Sequence, residues 1–315
     1  MKAIKEQRGN PRPLSAGTRT TRTNFRWIEG FKDFSFALPA LLALFIFVYY
    51  PLLNSFYLSF TNWNMTRPIK KLVGLDNYAY LLTSDTFYKV LKITFTYTVL
   101  DVTLTLSLGL LLALLFNRTS KLFNFMRSLL FMPHYISMVI VAMIFLWIFN
   151  GQYGVLNKLL EKLGIEPVLW LMNPKTALWA LIVVSVWKGV GFTMIIFIAG
   201  LRSVPLDYYE ASSIDGATKW HQFWSITLPL LSPTTLFLFI TNFISSMQVF
   251  QSVDIMTNGG PLDATKAMVY WIYEMAFGEF RTGRASALVI IFFLIIVLLT
   301  ILQMYVSRKK VHYEG

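Results

Sequence analysis

Ser203-Val-Pro-Leu-Asp-Tyr-Tyr-Glu-Ala-Ser-Ser-Ile-Asp-Gly-Ala-Thr-Lys-Trp-His-Gln-Phe-Trp-Ser-Ile-Thr-Leu-Pro229 is, after the amino-terminal tail, the least membrane-like long stretch of the chain. It lies between two apolar runs, Ala177–Leu201 and Thr234–Met256. Ser203 as a cap and Pro205 as a first residue predict a short helix, with Asp207 near the positive end of its dipole. Gly216 then supplies a backbone able to turn at positive φ. A second, amphipathic helix is expected from about Thr218 to Leu228, stopped by Pro229. Ala211, Ser212 and Ala217 are small enough for another backbone to come close. The stretch reads as a compact helix-turn-helix knob between two spans, suited to docking in a groove.

Outward from the knob, six apolar runs are each long enough to cross a bilayer: Phe36–Leu58, Ile93–Phe116, Leu129–Phe149, Ala177–Leu201, Thr234–Met256 and Ala285–Val306. The expected fold is all-α, a polytopic membrane protein of six transmembrane helices. Composition agrees, because the chain is 56% hydrophobic and only 14% charged, about half the charged fraction of a soluble domain. A soluble enzyme is thereby excluded. The net charge of +12 is one of topology and not of nucleic-acid binding, since Lys and Arg collect in the tail and between apolar blocks. Lys2, Lys5, Arg8, Arg12, Arg19, Arg22, Arg26 and Lys32 precede the first run, Arg118, Lys121 and Arg127 follow the second, and Arg308, Lys309 and Lys310 follow the sixth. Six crossings put all three groups on one side, which predicts that both termini are cytoplasmic. The opposite loops also carry cations, Arg67, Lys70, Lys71, Lys158, Lys162 and Lys266 among them, so the orientation rests mainly on the tail. The first run is too long, and too far from the start, to be a cleavable signal peptide.

The expected organisation is a mobile basic cytoplasmic tail with a juxtamembrane segment at 1–35, a six-helix transmembrane domain at 36–306 with its loop at 203–233, and a cytoplasmic tail at 307–315. With no cysteine there is neither a disulfide framework nor a thiol nucleophile. His134, His221 and His312 make no pair at ligand spacing, and no nucleophile–base pair is visible, so neither a metal site nor a catalytic residue is expected.

The knob resembles the cytoplasmic loop of ABC importer permeases, which carries Glu-Ala-Ala, three residues, Gly, nine residues and Ile-x-Leu-Pro. Glu210, Ala211, Gly216, Ile226, Leu228 and Pro229 stand at that spacing, and Ser212 replaces the second Ala. Six such positions recur by chance on the order of once in ten million windows at average usage. The resemblance implies the type I ABC importer permease fold, with Glu210, Ala211, Ser212, Asp215, Gly216, Ala217, Ile226, Leu228 and Pro229 coupling the spans to a cytoplasmic ATPase. Gly74-Leu-Asp-Asn-Tyr78, Pro133 with Tyr153-Gly-Val-Leu-Asn157, Trp187-Lys-Gly-Val-Gly-Phe192 and Met256-Thr-Asn-Gly-Gly-Pro261 are similar to the carbohydrate-uptake permeases, in the smaller lactose, raffinose and glycerol-3-phosphate form. This chain has no Gly-x4-Gly-Lys-Ser/Thr loop to cradle ATP phosphates. The resemblance therefore implies no cofactor on this chain, with ATP and Mg²⁺ used by two copies of a partner ATPase. It also implies a second homologous permease subunit, an extracytoplasmic solute-binding protein, and a multi-pass place in the bacterial inner membrane.

Polar side chains inside spans are expensive unless they meet a partner or a water-filled path. On the fourth run Ser185, Lys188, Gly189 and Phe192 share one helical face. On the fifth, Thr241, Asn242, Ser245, Ser246, Gln248, Gln251 and Asp254 form a polar strip. By resemblance to the maltose-type permease, the first four and Ser246 with Gln248 match sugar-contacting positions. The expected substrate path is Ser185, Lys188, Gly189, Phe192, Asn242, Ser245, Ser246, Gln248 and Gln251. The other reading of the same residues is hydrogen bonding that holds packed helices together. Asp101 and Lys188 are the charges deepest in spans. Either they neutralise each other, or Lys188 faces the path and Asp101 a partner subunit. The expected function is import of a sugar or oligosaccharide, with glycerol-3-phosphate or another polyol as the alternative and a secondary transporter behind it.

Overall fold

The computed structural model describes residues 23–66 and 69–308. The basic tail through Arg22, Arg67 of the first loop, and Lys309, Lys310 and His312 lie outside the described residues. Apart from one isolated bridge between Thr61 and Leu72, the described residues form helices and turns without strands. The chain divides into two compact units, Met1–Asn54 and Ser55–Gly315.

In chain order the helices are α1 (Thr23–Leu44), α2 (Tyr50–Ser59), α3 (Asp76–Leu82), α4 (Asp85–Phe116), α5 (Lys121–Tyr135), α6 (Met138–Ile148), α7 (Val155–Lys162), α8 (Pro174–Ser203), α9 (Leu206–Ile214), α10 (Lys219–Gln222), α11 (Leu228–Leu230), α12 (Ser232–Met247), α13 (Gln251–Met256), α14 (Met268–Tyr273) and α15 (Thr282–Arg308). Four helical stretches, Phe34–Ser59, Asp85–Phe116, Pro174–Ser203 and Thr282–Val306, are long and apolar enough to cross a membrane, and six are if two bent pairs each count as one. The first stretch contains a π-helical turn, Phe45–Tyr49. Pro51 follows it and has no N–H for the carbonyl four residues back, so a widened turn is cheap there.

Two expected spans are broken. Leu129–Phe149 is α5 and α6, which meet at an angle of 100°. Ile136 and Ser137 are extended between them. Thr234–Met256 is α12 and α13, separated at Gln248–Phe250. Continuous apolar composition conceals such breaks, because hydropathy averages over them.

In the second unit, α4 packs chiefly on α8, and α8 is close enough to α5 that a Cβ on Gly191 would stand 1.9 Å from the Leu130 carbonyl oxygen. Buried apolar clusters lie along this pair. One holds Tyr97, Val141, Ala142, Leu181, Ile182, Val184 and Val253, another Ala113, Met194, Phe197, Leu231 and Leu238. A third joins Phe87, Val90 and Val102 of α4 to Phe243, Met268, Trp271 and Leu288.

The short motifs act as staples. Asn77 donates to the carbonyls of Ser59 and Thr61, both at 2.8 Å. Asn157 donates to the Gly151 and Val168 carbonyls at 2.9 Å, and its oxygen accepts from the Val168 N–H at 3.1 Å and the Trp170 indole at 2.8 Å. A buried amide satisfied this fully fixes the loops it joins.

Candidate functional site

The knob forms as α9, a turn, and α10 leading into α11. Gly216 has φ +79°. The Ala217 N–H reaches the Ser212 carbonyl at 2.9 Å and the Gly216 N–H the Ser213 carbonyl at 3.2 Å, the bonding that closes a helix at a left-handed residue. Two expectations are corrected. Ser203 does not cap α9: it is the last residue of α8, its hydroxyl donates to the Gly200 carbonyl at 2.8 Å, and Pro205 takes the cap position. Pro229 does not stop the second helix, because the π-helical turn Phe223–Thr227 absorbs its missing N–H. The helix continues to Leu230, and a 61° bend leads into α12.

Glu210, Ala211, Asp215 and Gly216 are exposed at the tip, while Ser212, Ala217, Ile226, Leu228 and Pro229 are half-buried. The nine residues therefore divide into an outward group and a group that seats the knob. Sequence reasoning missed Gln222. It is buried, and its amide donates to the hydroxyls of Ser212 and Ser213, both at 2.9 Å, which locks the two helices together. Ile214 and Trp220 are 87% and 72% exposed, an apolar face beside the acidic tip.

The nine residues expected on the path all line one cavity of about 340 Å³. Ser185, Lys188, Gly189 and Phe192 come from α8, Asn242, Ser245 and Ser246 from α12, Gln248 from the break, and Gln251 from α13. Tyr97, Asp101 and Thr105 of α4, which sequence reasoning left off the path, and His134 of α5 share the wall. Spacing at i, i+4 and i+8 was the available signal for the three α4 residues. A cavity of 670 Å³ between α6, the residue 169–172 loop and Gly260-Pro261 is larger. Its wall is mainly apolar, with Trp147, Phe149 and Trp170 prominent beside Asn150, Thr257 and Asn258.

Lys188 does not pair with Asp101. Its ammonium donates to the carbonyls of Ile136 at 2.6 Å, His134 at 2.9 Å and Pro133 at 3.3 Å, capping the open end of α5 at the α5–α6 break. The His134 ring stacks on Phe192, with centroids 4.7 Å apart and planes within 13°. Asp101 is 6% exposed. A ring, a carboxylate, hydroxyls and amides around one space can bind a polyhydroxylated molecule by stacking and hydrogen bonding.

Residues 105–312, which hold the knob, α8 and all of α12 and α13, match the family of binding-protein-dependent transport system inner membrane components. The chain belongs to this family of ABC transporter permeases. The permease is 38% identical to the probable ABC transporter permease protein YesP of Bacillus subtilis over 91% of this chain and 94% of that one. It is 33% identical to the trehalose/maltose transport system permease protein MalF of Thermococcus litoralis, over 87% and 92%. It is also 31% identical to the sn-glycerol-3-phosphate transport system permease protein UgpA of Agrobacterium fabrum, over 87% and 94%. Its fold is that of a chain from a bacterial ABC transporter involved in the import of the acidic polysaccharide alginate, at a TM-score of 0.80 and 24% identity over 92% of this chain and 99% of that one. The permease is an integral membrane transport subunit.

Proposed function

We propose that this permease carries a sugar or oligosaccharide through the α4–α8–α12 cavity, and that the knob transmits closure of a cytoplasmic ATPase to it. The observation that carries the reading is the convergence of nine residues from two separate runs on one polar cavity. Relatives named for trehalose and maltose and for starch degradation products support the sugar class. The chain makes and breaks no covalent bond; ATP and Mg²⁺ act on two copies of the ATPase, whose groove takes the exposed apolar face and acidic tip of the knob. A second homologous permease closes the path, an extracytoplasmic binding protein delivers the cargo, and both termini are cytoplasmic in a bacterial inner membrane. Glycerol-3-phosphate, named for one relative, is the second reading, but the cation it would need, Lys188, is bonded to three carbonyls.

Gln248→Leu in the assembled transporter removes a donor and an acceptor at similar bulk. A cargo hydroxyl left unpaired costs about 1–3 kcal/mol, so uptake of the sugar retained by the system's binding protein should fall roughly ten- to a hundredfold at limiting concentration. ATP hydrolysis stimulated by the loaded binding protein should fall less. Uptake equal to the parent's would show the polar strip to be helix-packing glue.

A further inference from the structure

Four side chains with ionisable groups line the cavity, Tyr97, Asp101, His134 and Lys188, and the last three differ in their bonding. The Lys188 ammonium rests on three carbonyls at the end of α5, where a helix carries a negative partial charge of about half a unit. The fold thus offsets much of that cation's charge. His134 lies between the Phe131 and Phe192 rings, 5.6 and 4.7 Å from their centroids. Asp101 has no such partner. It is 6% exposed, no cation lies beside it among the described residues, and only neutral hydroxyls come within reach of its carboxylate, none in good hydrogen-bond geometry to Oδ1. Ser246, Ser185 and Thr105 stand beside it. Neutral hydroxyls compensate a buried carboxylate only in part, and here it sits in the wall of a cavity whose contents change.

We propose that Asp101 sets the charge class of the cargo: it accepts from hydroxyl or ammonium donors, so the cavity favours neutral or amine-bearing carbohydrate and disfavours phosphorylated and uronate sugars. This rests on the cavity being the transport path. Two neighbouring sugar hydroxyls can both donate to one carboxylate. A phosphate or carboxylate in the same place brings like charges together away from bulk water, where their repulsion is strongest. Lys188 and the α5 end largely offset each other, so Asp101 is the charge they leave unbalanced.

The chain contains no cysteine, so Ser245→Cys puts a single thiol of this chain in the cavity of the assembled transporter. Its rates with a cationic and an anionic methanethiosulfonate, each divided by the rate with free cysteine, are read from the mass of this chain. The cationic reagent should be favoured about tenfold or more, the effect of one nearby charge in a partly desolvated site. Adding Asp101→Asn should bring the ratio close to one, and Asp101→Glu should preserve it. A ratio near one without any change at Asp101, or a ratio that survives Asp101→Asn, overturns the assignment. If the charge ratio fails while Gln248→Leu still lowers uptake, the cavity is the path and Asp101 does not select. Normal uptake in Gln248→Leu removes the path itself, and this assignment with it.

Discussion

Gly216 separates two causes that a glycine usually combines. A Cβ there would meet nothing within 4 Å, yet φ is +79°, so conformation and not space forbids a side chain. A β-branched residue is a genuine outlier at such an angle, whereas Asn is several-fold enriched there. Gly216→Val should therefore abolish coupled transport while the subunit still assembles in the membrane, and Gly216→Asn should keep most of it. Uptake and pull-down of the ATPase, measured on both variants, check this; normal transport by the Val variant would refute either the turn or its coupling role. At the same scale, Gln222 was hidden in the sequence because an amide in an amphipathic helix looks like any solvated residue. Its neighbours, Ser212 and Ser213, are about ten positions away and come together only when the turn closes.

At the scale of elements, α8 carries the close packing that positions the cavity. Gly191 faces the Leu130 carbonyl at 1.9 Å from a hypothetical Cβ, while at Gly189 the nearest atom is the Thr105 methyl at 3.5 Å. Gly191→Ala should push α5 away and lower the stability of the purified assembly by about 1–3 kcal/mol, seen as a lower melting midpoint. Gly189→Ala makes an ordinary contact and should melt near the parent; equal effects would contradict the packing. The loop between α13 and α14 depends on charge instead. Asp263 accepts from Lys266 at 2.9 Å and lies 3.6 Å from Lys89. The hydrogen bond from Lys266 holds its carboxyl below the usual carboxylate range, against partial burial. A depressed carboxyl stabilises fully above its unfolded value of about 3.9 and loses that contribution as pH falls through the lower folded value. Hydrogen exchange in residues 258–266, corrected for intrinsic rates, should hold steady from about pH 5 upward and accelerate only below about pH 4; loosening that begins in milder acid would refute it. The apolar runs were legible because a bilayer demands them. The breaks at Ile136–Ser137 and Gln248–Phe250 were not, since what stabilises the first is an ammonium on Lys188, more than fifty residues away. Asp101 and Lys188 were both visible as costly charges, but only the folded chain shows that carbonyls hold one while neutral hydroxyls surround the other.

At the scale of the molecule, the proposed second permease would give the polar cavity residues the facing surface that such groups need in a membrane. Co-expression with a second permease and the ATPase should yield one stable assembly of all three. A transport-competent particle of this chain and the ATPase alone would refute the heterodimer. The elbow at Leu231 bears on how such an assembly moves. The stretch Lys219–Leu230 meets α12 at 61°, and α12, with 16 residues, is about 24 Å long and ends at the cavity's broken segment. If the knob is the coupling element proposed above, the two arms form a bell crank with the knob as its input. A rotation of about 10° at the elbow swings the far end of a 24 Å arm by about 4 Å, more than the length of a hydrogen bond. On the proposed coupling, a small turn at the knob would draw the α12 side of the cavity away from a cargo held by α4 and α8.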